Sequence, residues 1–327
     1  MKTNKVILLA MASGIVLTAT ESLAEESGSG HYISGEFNDF STTVPTQPGW
    51  VFGNFVAIYN NGTAGGSRRF PFGDEIAAGV TANIAAEVPV VMYAYPLDFF
   101  GGTLASGVAV PFVWETIKVE GTFDRHDGHQ ITGVREQSTS GLGDIQMLPV
   151  MAGWTNGDFK FNCVLNVWAP TGDYNKDNLA NVGLGYWTFT PMAGVSWLSS
   201  KFGTEATVFS GVDFNTKNTD SDYQSGNIFH IDGTVAQHFP LFGGFAGVGA
   251  SAFWVRQISN DSNNYGPILK NELGGFMINS YGVGPVISYV HKIGKSTLVL
   301  DANWLPQTHT DNTTKGDYFW IKAMLVF

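Results

Sequence analysis

From Asp317 to Phe327 the chain alternates: Phe319, Ile321, Ala323, Leu325 and Phe327 are apolar, and Tyr318, Trp320, Lys322 and Met324 fill the positions between them. A β-strand turns successive side chains to opposite faces, so a period of two sorts these residues onto two surfaces, and Lys322 marks its surface as the one that meets water. The same division recurs upstream. Phe159, Phe161, Cys163, Leu165 and Val167 oppose Asp158, Lys160, Asn162 and Asn166, while Ala206, Val208, Val212 and Phe214 oppose Glu205, Thr207, Asp213 and Asn215. Leu298, Leu300, Ala302 and Trp304 oppose Asp301 and Asn303, and Val80, Ala82, Ile84, Ala86 and Val88 oppose Thr81, Asn83 and Glu87.

Alternating or apolar segments broken by turn residues give about twelve strands, at 50–60, 79–96, 103–120, 141–154, 158–171, 184–199, 202–216, 224–240, 244–259, 273–291, 296–307 and 317–327. Short connections (Leu97 to Gly102, Thr155 to Gly157, Ser200 to Lys201, Leu241 to Gly243, Lys292 to Lys295) take turns with mostly longer polar ones, such as Asn61 to Ala78, Gly121 to Ser140 and Asn260 to Glu272. An even-stranded transmembrane barrel has this rhythm, with both termini on the side of the short periplasmic turns. Asn156-Gly157 predicts a type I′ hairpin turn, which needs positive φ at both central positions. The predicted fold is therefore all-β, an antiparallel transmembrane β-barrel over residues 50–327. Residues 25–49, with Pro45 and Pro48, form an extension that either plugs the lumen or hangs free.

Composition narrows the class. Charged residues make up 14% of the chain, well below the usual quarter, and Gly and aromatics are abundant. No run of about 18 apolar residues follows the first 24, which excludes helical spanning and leaves alternation as the way to hide apolar side chains. At the N-terminus Lys2 and Lys5 precede an apolar stretch, Val6 to Ala19, and Ser22-Leu23-Ala24 suits cleavage before Glu25; residues 1–24 read as a secretory signal. Without Lys2, Lys5 and Glu21 the chain holds 15 basic and 27 acidic side chains, a balance that argues against nucleic acid as a partner. The single Cys163 rules out an intrachain disulfide.

The stretch GLGDIQMLPVMAGW, Gly141 to Trp154, the strand ending in APTGDYN, Ala169 to Asn175, and YWTFTP, Tyr186 to Pro191, resemble the "MetA-pathway of phenol degradation" (SphA-like) family of outer-membrane proteins. NTDSDYQSG, Asn218 to Gly226, with Phe229, His230 and Asp232 after it, and GPVISY, Gly284 to Tyr289, extend the match in the right order over the last two thirds of the chain. The first 130 residues resemble the family more loosely. The resemblance implies a bacterial outer-membrane barrel that admits hydrophobic or aromatic compounds, and it carries no catalytic residues. The closing strand with its terminal aromatic also resembles the recognition signal of Gram-negative barrels, so Phe327 is expected to engage the barrel-assembly machinery.

A basic residue facing mid-bilayer lipid costs roughly 2–4 kcal/mol, so polar faces are expected to point into the lumen. Glu87, Asp144, Lys160, Glu205, Asp213, His230, Asp232, Asp301 and Lys322 are then the lumen-lining candidates. Two readings stay open for them: a mainly acidic wall that biases solute passage, or internal ion pairs that fill a narrow barrel. His126 and His129, in FDRHDGH, have HxxH spacing that could bind metal with Asp124 or Asp127, although a polar loop explains them more simply, and no metal or cofactor is assigned. His238 and His291 fall near periplasmic turns, and no spacing unites Ser, His and a carboxylate, so an enzyme is not expected. Trp187, Phe189, Trp197, Phe319 and Trp320 suit an interfacial girdle, the simpler reading; the alternative is that lumen-side rings such as Trp168 and Trp320 form a greasy slide. The expected function is a passive channel for small hydrophobic or aromatic solutes, in contact with membrane lipid and uncoupled to nucleotide hydrolysis. The alternatives are a structural or adhesive barrel with a closed lumen acting through its outer loops and, after it, an outer-membrane hydrolase.

Overall fold

A computed structural model describes residues 30–69, 75–124, 130–262 and 277–327. The expected signal segment and the HxxH pair lie outside the described residues. The strands are β1 (Gly49–Arg69), β2 (Glu75–Ala94), β3 (Thr103–Ala109), β4 (Phe112–Asp124), β5 (Gln130–Leu142), β6 (Ile145–Asn156), β7 (Phe159–Ala169), β8 (Thr188–Leu198), β9 (Thr204–Asn215), β10 (Ile228–Leu241), β11 (Gly244–Gln257), β12 (Asn279–Ile293), β13 (Ser296–Asp311) and β14 (Lys315–Val326). β3 and β4 are one wall strand interrupted at Val110 and Pro111, and β5 and β6 are another interrupted at Gly143 and Asp144. β1 pairs with both β2 and β14, which closes an antiparallel barrel of twelve wall strands.

Alternation sets the faces. On β7, β9, β13 and β14 the apolar set points outward and the polar set is buried inside: Asn162 and Asn166, Glu205 and Asp213, Asp301 and Asn303, and Lys322 are all nearly or fully inaccessible. Cys163 is exposed on the outer surface. β2 reverses this order. Val80, Ala82, Ala86 and Val90 point inward and are buried, while Glu87 is exposed on the outside and accepts a hydrogen bond from Asn54 Nδ2 (2.9 Å). Glu87 is therefore not a lumen residue. The expectation fails because the lumen beside β2 is itself apolar, so the apolar face has an interior to fill.

Two further expectations change. The stretches expected as loops at 61–78 and 121–140 are largely strand: β1 and β2 pair out to Arg69 and Glu75, and β4 and β5 pair from Phe112 and Leu142 to Asp124 and Gln130. A 21-residue β1 is about 70 Å long, so these hairpins rise beyond a hydrocarbon band that needs only about 9–11 residues per strand. Above that band neither face must be apolar, which is why the sequence there reads as loop. At the β6–β7 turn Asn156 pairs with Phe159, making Gly157 and Asp158 the central residues. Only Gly157 has positive φ (61°), the pattern of a type II′ turn, and not the I′ turn expected from Asn156-Gly157.

Inside the barrel, β8 and β9 are drawn together by Phe209, whose ring is 1% exposed and lies over Gly194. A Cβ on Gly194 would sit 2.3 Å from that ring. Gly194→Leu should therefore lower stability by about 1–3 kcal/mol. Heat-modifiable gel mobility and urea unfolding should register the loss, while Ala193→Leu, which points outward, should leave the midpoint unchanged.

Candidate functional site

The segment before β1 runs into the lumen, resolving the choice between plug and free extension. Its backbone and side chains are fastened to the inner faces of many strands. Trp320 Nε1 donates to Ser34 O (2.8 Å), Asn38 Nδ2 donates to Ser251 Oγ (3.2 Å), and Phe40 N–H donates to Glu205 Oε1 (2.7 Å). Val44 N–H donates to Asn162 Oδ1 (2.8 Å), and Gln146 Nε2 donates to Glu36 Oε1 (2.6 Å). Phe37 and Val44 complete an apolar cluster with Met151, Val164, Met192 and Phe209. A one-turn 3-10 helix, Phe40–Thr42, is capped by Asp39, whose carboxylate accepts from Ser41 N–H.

The inward-facing candidates are absorbed in this fastening. Lys322, wholly buried on β14, donates to Asn38 Oδ1 (2.8 Å) and stands 3.8 Å from Asp301 on β13. Asp232 on β10 accepts from the Tyr32 hydroxyl and from Gly35 N–H (2.8 Å). His230, two residues before it, stacks on the Tyr32 ring with centroids 3.6 Å apart and lies 3.6 Å from Asp213, which accepts from Thr190. Glu205 pairs with His238 Nε2 (2.7 Å), so His238 also belongs to the lumen, although its sequence position suggested only a turn. Lys160 reaches Thr43 Oγ1 at 3.5 Å. Among the described residues no group of three or more His, Cys, Asp or Glu side chains is arranged to hold a metal.

Asp144 sits where the wall is interrupted and holds three things at once. Oδ2 accepts from His31 Nε2 (2.8 Å) and from Leu184 N–H (2.7 Å), and Oδ1 accepts from Gly172 N–H (2.8 Å). The far side of His31 bonds Thr188 Oγ1 (2.7 Å). Thr188 in turn donates to Asn215 Oδ1 (2.7 Å), and Asn215 Nδ2 donates to the Gly226 carbonyl (3.1 Å). His31 thus bridges Thr188 and the Asp144 carboxylate through its two ring nitrogens.

Beside this junction the connection between β7 and β8 folds back over the barrel. Gly172 and Gly183 cross so closely that a Cβ on either would lie 2.6–2.7 Å from the other's backbone. Beyond the crossing Leu179 and Ala180 are buried with Tyr59, Val80, Ala82, Ile117 and Val119. Arg135 Nη2 donates to Asp177 O (2.8 Å), and Gln137 Oε1 accepts from Leu179 N–H (2.7 Å). The connection thus lies on the inner side of the wall next to β5, which pairs with β4 on one side and with no strand on the other among the described residues.

Between the plug, this connection and β1, β2 and β4 lies a chamber of about 240 Å³. Its wall is chiefly apolar: Phe55, Ala57, Val80, Ala82, Ala86 and Ile117 from the strands, closed by Trp168 and Trp320. The two lumenal tryptophans expected from the sequence both line it, with Trp168 stacked on His31 (5.8 Å). Sequence reasoning missed the plug residues His31, Tyr32, Glu36 and Asn38, which have no strand period. It also missed the chamber. The signal was the run Val88 to Met92, apolar on both faces, which marks a wall dry inside as well as outside.

A closed, plugged, twelve-strand barrel with an apolar outer band defines a bacterial outer-membrane β-barrel protein. Residues 65–323 match the family described as "MetA-pathway of phenol degradation", and the chain belongs to that family. The match begins well before residue 130, where the sequence resemblance was looser. The crystal structure of the COG4313 outer membrane channel from Pseudomonas putida F1 shares the fold at TM-score 0.55 and 12% identity, over 91% of this chain and 100% of that one. CdiB from Acinetobacter baumannii aligns at TM-score 0.33 and 12% identity, over 86% of this chain and 60% of its own. No curated protein sequence matches.

Lys322→Met leaves Asn38 and Asp301 without their buried cation, and breaking such a pair costs about 3–5 kcal/mol. The plug should loosen: residues 30–48 should become cleavable by added protease in the refolded barrel, and ion conductance in planar bilayers should rise.

Proposed function

We propose that this protein is a passive outer-membrane channel for small hydrophobic or aromatic compounds. The observation that carries this reading is the apolar chamber above the plug. An aqueous pore has no use for an inner wall of Val, Ala, Ile and Phe, whereas a molecule leaving water gains about 25 cal/mol for each Å² of apolar surface it buries there. The unpaired edge of β5 and the strand interruptions beside the chamber supply a way in from the side. The buried carboxylates and lysines, in this reading, fasten the plug and do not line an ion path. The filled periplasmic half of the barrel favours a second reading, a closed barrel acting through its outer loops. Catalysis has no part in either. Thr188, His31 and Asp144 stand in line, with the threonine buried and hydrogen-bonded to Asn215, an arrangement that supports a fastening role.

Proteoliposomes discriminate the readings. The wild-type barrel should admit naphthalene faster than empty liposomes while passing little ion current. Ala82→Trp with Ala86→Trp, which fill the chamber, should reduce that uptake about tenfold, the effect of losing about 1.4 kcal/mol. Uptake equal to that of empty liposomes would leave the closed barrel standing.

A further inference from the structure

Glu115 is the one carboxylic side chain that β4 turns inward among its described side chains, and it stands in the wall of the apolar chamber, 6% exposed. Its Oε2 accepts a hydrogen bond from Asn181 N–H (2.8 Å) on the folded-back connection. Among the described residues Oε1 has no hydrogen-bond partner, and no Lys, Arg or His lies within ion-pair distance of the carboxylate. Every other inward acidic group named above is fastened to the plug or to a base. Oε1 is thus open to the chamber, where an entering donor can complete its bonding.

The register shows what could. Tyr318, Tyr59, Ile84 and Glu115 are paired in turn across β14, β1, β2 and β4, so they form one row on the inner wall. Strands lie about 4.8 Å apart, which puts Glu115 roughly 10 Å from Tyr59 with Ile84 between them. Tyr59 cannot serve the carboxylate itself, because its hydroxyl is engaged with Gln307 and Thr314. Its ring packs against Tyr318 at 4.7 Å and faces the same chamber. The gap between ring and carboxylate has the width of a flat aromatic body resting on Ile84.

We propose that Glu115 sets the specificity of the chamber: it selects apolar molecules that carry a hydrogen-bond donor, a hydroxyl or an amine, and it rejects apolar carboxylates. The donor completes the bonding of Oε1, and the ring rests on Ile84 beside the Tyr59–Tyr318 pair. An anionic head would instead meet a carboxylate with no Lys or Arg in the chamber wall to offset the repulsion. This inference rests on the proposed function, since it assigns a role within the same chamber.

The test uses the purified full barrel and three probes of one shape: 1-naphthol, naphthalene and 1-naphthoate, with binding read by tryptophan quenching and calorimetry. In the wild type naphthol should bind about ten to a hundred times more tightly than naphthalene, the range expected of a hydrogen bond to a charged group, and naphthoate should bind more weakly than both. Glu115→Leu should bring naphthol and naphthalene together, and the isosteric Glu115→Gln, which keeps an acceptor without charge, should retain part of the naphthol preference and admit naphthoate. Heat-modifiable mobility verifies that each variant is folded, and the wild-type series decides the matter even if neither variant folds. Equal binding of naphthol and naphthalene by the wild type, or naphthoate as tight as naphthol, overturns the role of Glu115 while leaving hydrophobic uptake intact. Failure of all three probes to bind overturns both.

Discussion

Hydrocarbon offers no hydrogen bonds, so each backbone N–H and C=O that crosses the bilayer must find its partner within the protein. The β1–β14 seam meets that demand for the whole barrel, pairing Val51 with Val326 and continuing residue by residue to Asn60 and Asp317. Closure in turn defines an inside, and everything distinctive about the molecule is a way of filling it. Where the inner faces are polar the N-terminal segment fills them, and where they are apolar a chamber is left. Beside β5, which pairs on one side only among the described residues, a folded-back connection is held by side chains from β4, β5 and the strand interruption itself.

The two fillings obey different physics. A buried lysine costs several kcal/mol unless its charge is matched and its protons are used, and Lys322 achieves this only with Asn38 in place beside Asp301. The plug is therefore specified by polar complementarity, contact by contact. The chamber is specified by shape and dryness, through small and branched side chains that leave room. Phe37 and Val44 serve both ends, since they seal the apolar cluster under the chamber while the residues around them carry the polar contacts.

Much of the barrel was legible because a lipid-facing strand writes its period directly into the sequence. The outward sets on β7, β9, β13 and β14 could be read without ambiguity, since a wrong assignment would place Lys160, Asp213 or Lys322 in hydrocarbon. β2 could not be read that way. Both of its faces are partly apolar, and the rule that polar means inward then points the wrong way for Glu87. The upper halves of β1, β2, β4 and β5 were hidden for the opposite reason: beyond the bilayer no face is forced to be apolar, so the pattern fades while the ladder continues. The plug was invisible because its conformation is dictated by residues far away in sequence, with Ser34 meeting Trp320 and Val44 meeting Asn162. No local propensity in His31 to Phe40 encodes such partners.

The span between those partners has a consequence for how the molecule comes into being. Asn38 and Lys322 are 284 positions apart, so the plug waits for the last strand before Asn38 meets the buried ammonium. Strand β14 also makes the seam with β1, and it cannot bring Lys322 inside without enclosing whatever occupies the lumen at that moment. Ring and plug therefore share one strand: what closes the barrel on β1 also delivers the ammonium that the plug is built around.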